Sequence, residues 1–179
     1  MKTALILVDI QNDYFPNGRM ELVNMTQAAA VARQLLDKFR KMNAPIIHVQ
    51  HISTHDGATF FLPDTDGANI NEVVKPLPGE PVVIKHSPNS FLNTNLHELL
   101  KTLGIDTITI CGAMTHVCID STARAAFDLG YKAIVISDAC ATRDLTSDGT
   151  KVPAAQVQAA YMAGLSFVFA DVQRADETC

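Results

Sequence analysis

The chain has 179 residues, 47% of them hydrophobic and 18% charged, with a formal net charge of -5. That length fits one domain able to bury close to about 70% of the surface its unfolded form exposes, and the composition excludes a disordered chain. The acidic balance, with no block or stripe of Lys and Arg, argues against a nucleic-acid partner, and no apolar run is long enough to cross a membrane.

Short β-branched apolar runs alternate with stretches of helical periodicity. The first run, TALILV at 3 to 8, stops at Asp9 and lacks a small-residue cleavage site, so it does not read as an export signal. A helical pattern over 24 to 42 leads to APIIHVQ at 44 to 50, with Gln50 and His51 at its end. Residues 51 to 80 break the alternation with HDG, LPDTDG and KPLPGE, turn-rich chemistry expected of a lid or pocket wall. The run PVVIK at 81 to 85 ends in Lys85 and His86, and a helical pattern over 93 to 103 follows. DTITIC at 106 to 111 runs into a Gly-Ala turn and a helical pattern over 115 to 129. KAIVIS at 132 to 137 ends before Asp138, a helical pattern over 151 to 163 carries Pro153 in its first turn, and LSFVF at 165 to 169 is a weaker sixth strand.

Strands apolar on both faces and separated by helices imply a parallel sheet covered on each side. The expected fold is a single α/β domain over residues 1-179, a three-layer α/β/α sandwich with a mostly parallel, Rossmann-like six-stranded sheet. The four cysteines, at 111, 118, 140 and 179, form neither C-x-x-C nor zinc spacing. A reducing, cytoplasmic compartment is therefore expected, with Cys179 exposed at the chain end, where it could oxidise in vitro without this implying a function.

In such sheets ligands bind beyond the carboxyl ends of the strands. There the chain places Asp9, Lys85 and Cys118, the last in ICGAMTHVCIDSTARAAFDLGY at the start of a helical pattern. A helix N-terminus favours a thiolate and can hold a developing anion. A carboxylate can take the thiol proton, and an ammonium can orient the carboxylate and lower the thiol pKa. Singly, each has a plainer reading: a buried structural thiol, a turn aspartate, a solvated lysine. Burial and the Asp9 charge oppose Lys85 and the helix terminus in setting the thiol pKa, so its sign stays open at this level.

Taken in order, LILVDIQNDYF, VVIKHSPNSFLNT, CGAMTHVCIDSTARAAFDLGY and SDACATRD resemble the isochorismatase-like cysteine hydrolase family, which includes isochorismatases, nicotinamidases and carbamoylsarcosine amidases. The resemblance implies a catalytic triad of Asp9, Lys85 and Cys118. It also implies a cis peptide between Ala113 and Met114, and an oxyanion hole from the backbone N–H groups of Met114 and Cys118. The activity implied is hydrolysis of a small amide or related C–N substrate through a thioester, without a cofactor, in a homo-oligomer (dimer or tetramer). Isochorismatase-type vinyl ether hydrolysis, a metal-assisted nicotinamidase and a catalytically silent scaffold on the same fold are the alternatives. A redox thiol protein would need a resolving cysteine that the spacing does not supply.

Nicotinamidases of the family hold a metal with an Asp-x-His element after the second strand. This chain has VQHISTHDG there; His51, His55 and Asp56 could share an ion, but the expectation is no metal. The expected substrate-binding residues are Gln11, Phe15, Phe61, His86, Asn89, Phe91, Thr115 and His116, aromatic groups for a flat or apolar body and polar ones to orient it. His116 stands two residues before Cys118, yet the family pattern gives the base role to Asp9.

Overall fold

The computed structural model describes residues 2–177. Within them eight strands form: β1 (Thr3–Val8), β2 (Ile46–His51), β3 (Val82–Lys85), β4 (Thr107–Ala113), β5 (Lys132–Ala141), β6 (Leu145–Ser147), β7 (Thr150–Val152) and β8 (Asp171–Gln173). Six build one sheet in the order β3-β2-β1-β4-β5-β8, every neighbouring pair parallel. The expectation for Cys179 lies outside the described residues.

The central strands β1 and β4 are buried on both faces, as parallel strands covered by helices are, while the edge strand β3 leaves Val82 and Ile84 exposed. Along β1, Leu5 and Leu7 enter one core while Ala4, Ile6 and Val8 enter the other, as the two-residue period of a strand requires. The first core is covered by α1 (Met25–Lys41), whose buried Met25, Ala28, Ala29, Ala32, Leu35, Leu36 and Phe39 recur at helical spacing. The second is covered by α2 (Leu96–Thr102), α3 (Asp120–Asp128) and α4 (Ala154–Val168), through Leu96, Leu100, Ala123, Ala126, Met162 and Leu165. Each fully buried leucine among them contributes roughly 1.5–3 kcal/mol.

Residues 51 to 80 complete the first face beside α1. They carry two short 3-10 turns, Asp66–Ala68 and Glu72–Val74, and bury Phe61, Ala68 and Val74. Asp13, itself buried, ties this wall down: its Oδ2 accepts the Phe61 N–H at 2.7 Å and its Oδ1 the Arg19 N–H at 3.2 Å. A side chain at Gly67 would collide with the Asp13 carboxylate.

The sixth strand is not where the apolar run LSFVF suggested. Residues 165 to 168 continue α4, and the sheet is completed by β8 at Asp171–Gln173. An apolar run of that length fits a buried strand and a helix face equally well, and Leu165 here extends the stripe of Val157 and Met162. Gly164 is simply carried inside the helix, and Pro153 stands just before its first residue. The β6–β7 hairpin between β5 and α4 was not expected either.

Candidate active site

Strand order decides which residues meet. β1 and β4 are neighbours although far apart in sequence, with β2 and then β3 on the other side of β1. Asp9 just past β1, His51 ending β2, Lys85 ending β3 and Cys118 just past β4 therefore share one carboxyl edge, at the point where the winding reverses. Asp9 adopts a left-handed backbone, φ 52°, at a cost of roughly 1–2 kcal/mol. Its N–H is held by the Val49 carbonyl at 3.0 Å, and its own carbonyl accepts from Gln11 at 2.9 Å. On the neighbouring strand Gly112, φ 129°, lies so close to Val8 that any Cβ would overlap the Val8 carbonyl. That close approach of β4 to β1 brings the Asp9 and Cys118 ends together.

Lys85 Nζ stands 2.9 Å from Asp9 Oδ2, with both side chains fully buried. It also donates to the Ser87 carbonyl at 2.9 Å and the Pro88 carbonyl at 3.0 Å, and lies 3.4 Å from His51 Nδ1. Neither Asp9 oxygen has a well-aligned hydrogen bond among the described residues, so the contact with Lys85 is an ion pair. Burial alone would depress the lysine pKa, but the Asp9 carboxylate beside it outweighs that and holds the ammonium above its ordinary value. His51 is the opposite case. Burial first, then Lys85 and two histidines, overcome the Asp9 charge and lower it to about 4, leaving a neutral ring.

Cys118 sits in a π turn, Thr115–Ile119, that opens α3. The Ala113–Met114 peptide leading into it is cis. The Met114 carbonyl accepts from the N–H groups of Val117 and Ile119, three and five residues on. The Cys118 N–H between them is not among the donors to that carbonyl in the described residues. The thiol is 3% exposed and within hydrogen-bonding reach of Asp9 and Lys85. Burial pushes it well above the ordinary thiol range, Asp9 adds to this, and Lys85 offsets only part, which settles the sign left open above. The resting group is the thiol.

The remaining expected residues separate. Gln11 is fully buried and both its N–H donors are spent, on the His51 carbonyl at 2.9 Å and the Ala68 carbonyl at 2.7 Å, so it braces β2 instead of facing a ligand. Phe61 is also fully buried, in tilted and edge-on ring contacts with Tyr14, Phe60 and His51. Thr115 is buried with its hydroxyl turned to Gln158 Oε1 at 2.6 Å, and His116 Nδ1 meets the Thr142 hydroxyl at 2.6 Å. Phe91 packs in the second core against Tyr131, Asn89 Oδ1 caps the Phe91 N–H, and His86 is tied to the Ile52 carbonyl. Phe15 is half-buried on the first core. Two residues near the cluster, Tyr14 and His51, stand outside the expected substrate-binding set. Tyr14 is 1% exposed, and burial raises the pKa of its hydroxyl well above the ordinary value, with the Asp9 charge adding to this. His51 was weighed only for a metal. Its position ending the strand between those of Asp9 and Lys85 becomes a signal once the strand order is known.

One group among the described residues has metal-like spacing: an oxygen of Asp9, a nitrogen of His51 and Cys118 Sγ lie within 4.8 Å of one another. It does not suit a resident divalent ion. The Lys85 ammonium already stands 2.9 Å from Asp9 and 3.4 Å from His51, where the ion's own charge would be needed. His55 is exposed, its Nδ1 beside the neighbouring Asp56 carbonyl. A cleft of about 500 Å³ lined by Asn24, Gln27, Asp138, Cys140 and Gln158 holds none of Asp9, Lys85 and Cys118.

The model of the isochorismatase domain matches residues 3–173. The uncharacterised isochorismatase family protein YddQ of Bacillus subtilis (strain 168) is 49% identical over 97% of this chain and 96% of its own. A solved structure from Oleispira antarctica, a candidate isochorismatase hydrolase, superposes with a TM-score of 0.95 at 50% identity, covering 98% of this chain and 95% of that one. The N-carbamoylsarcosine amidase of Thermoplasma acidophilum superposes at 0.85 with 27% identity, over 99% of each chain.

Proposed function

From the premise that the chain belongs to the isochorismatase family and is a hydrolase of that family, we propose that it is a cysteine-dependent hydrolase of a small amide or related C–N substrate. The observation that carries this reading is the convergence of Asp9, Lys85 and Cys118 in one buried cluster. In the reaction Asp9 takes the thiol proton as sulfur attacks the carbonyl carbon. The C–S bond forms while the carbonyl electron pair moves to oxygen, held by the N–H groups of Met114 and Cys118, each such donor contributing about 2.7–4 kcal/mol to the transition state. The oxyanion collapses and the C–N bond breaks, the amine leaving with the proton from Asp9. Water, deprotonated by Asp9, then hydrolyses the thioester and the thiol is restored.

A high thiol pKa supports this order of events, since a base that acts only during attack makes a standing thiolate unnecessary. The amidase among the structural neighbours supports a C–N substrate. The three described cysteines are all free, in keeping with a reducing, cytoplasmic setting. No helix of the described residues is long and apolar enough to cross a membrane. The uncharged α4, with Phe167 86% exposed, supports a homo-oligomer. The test is a panel of small amides, ureides and isochorismate assayed for ammonia, amine or pyruvate. Pyruvate alone would replace the amidase reading with vinyl ether hydrolysis.

A further inference from the structure

His51 lies in the catalytic cluster, yet the thioester chemistry gives it nothing to do. Its backbone is clamped on both sides by one side chain: the His51 N–H donates to Gln11 Oε1 at 2.8 Å, and Gln11 Nε2 donates to the His51 carbonyl at 2.9 Å. Its ring is held by Phe61, centroids 5.9 Å apart, and by Lys85 Nζ, 3.4 Å from Nδ1. The positive ammonium beside Nδ1 disfavours a proton there, which places the single proton of the neutral ring on Nε2. Nε2 has no hydrogen-bond partner among the described residues, and it is not one of their buried unpaired atoms, which are the two Asp9 oxygens and His48 Nδ1. The ring is only half-buried. A fixed donor with no protein acceptor is thus left accessible on a ring that has one nitrogen within 4.8 Å of Cys118 Sγ.

Resting on the cysteine hydrolase reading, we infer that His51 contacts the substrate as a neutral hydrogen-bond donor through Nε2, selecting acyl groups with an acceptor oxygen one or two bonds from the scissile carbon over plain alkyl acyl groups. Lys85 sets the tautomer and Gln11 sets the ring's position. Its low basicity suits a donor and disqualifies it as the proton carrier, a role that stays with Asp9.

The probes are methoxyacetamide and butyramide, amides of nearly equal shape that differ by an ether oxygen in place of a methylene. Their affinities are read from protection of Cys118 against iodoacetamide, which requires no turnover. In the unsubstituted protein methoxyacetamide should protect at about tenfold lower concentration, the size of one net hydrogen bond. His51→Phe should abolish the difference, and His51→Gln, which keeps an acceptor and a donor, should retain part of it. Nitrogen NMR of the imidazole should show the Nε2–H tautomer at neutral pH, lost in Lys85→Met. Equal protection by the two amides, a preference unchanged in both His51 variants, or an Nδ1–H tautomer would each overturn the inference. Failure of the hydrolase reading shows separately, as absence of ammonia release from the amide panel while the protection and NMR results stand.

Discussion

Lys85 and Asp9 form an ion pair of 2.9 Å with neither side chain exposed. Two charges taken out of water in this way are costly apart and tolerable only together. Lys85→Met should therefore destabilise the fold by about 3–5 kcal/mol, the range for leaving a buried charge uncompensated, and abolish turnover. Adding Asp9→Asn should recover much of the stability and none of the activity. Urea unfolding beside the hydrolase assay checks both; equal instability of the single and double variants would show that the two charges are not coupled.

Cys118 is held as a thiol by burial and Asp9. A group whose pKa lies above the working pH gains thiolate tenfold with each pH unit. Alkylation of Cys118 by iodoacetamide should accordingly keep rising from pH 6 to pH 9 without levelling near neutrality. Cys111 and Cys140, also raised by burial, should react far more slowly. Cys118→Ala should lose hydrolysis by about a thousandfold or more and keep its fold. A plateau in alkylation below pH 7 would mean a standing thiolate.

Gly112→Ala combines a left-handed backbone with a methyl placed on the Val8 carbonyl. We expect a loss of more than about 2 kcal/mol and a fall in kcat greater than in kcat of a distant control such as Gly164→Ala, where the nearest atom outside the helix is the end of Arg124 at 3.9 Å. Thermal melts and steady-state kinetics of the pair separate the two effects.

Hydrolysis should survive exhaustive chelation, because the cation of this site is the Lys85 ammonium. Activity lost to chelator and restored by zinc or iron would require Asp9, His51 and Cys118 to hold an ion after all.

Away from the site, Glu80 joins α1 to the β2–β3 edge. It accepts from Arg40 at 2.7 and 2.8 Å, lies 3.0 Å from His48 Nε2 and accepts the Leu77 N–H at 2.9 Å. Hydrogen bonding from Arg40 leads in lowering its pKa from 4.5 to about 2, against the opposing effect of burial. A carboxylate depressed in the folded state stabilises fully above its unfolded pKa and loses that contribution as pH falls through the folded one. Glu80→Gln should thus lower the melting temperature at pH 7, with the difference shrinking below pH 4.5 and gone near pH 2. A constant difference across that window would assign the effect to packing.

Much of this was legible along the chain, because what it required was local. Apolar runs mark strands buried on both faces, and parallel strands all end at one edge, so Asp9, Lys85 and Cys118 could be picked out as strand-end residues before any fold was known. The resemblance of the surrounding motifs then gave each a role. Where burial is the same for two kinds of element, as at residues 165 to 168, periodicity could not choose between strand and helix, and packing against the second core did. Proximity between distant residues also had no local sign. His51 became a neighbour of Lys85 and Asp9 because β2 lies between β1 and β3. Gln11 proved a brace because its amide reaches the β2 end and the 66–68 turn at once. The thiol pKa was open for the same reason: its opposing contributions depend on distances and burial, and those quantities exist only once the chain has folded.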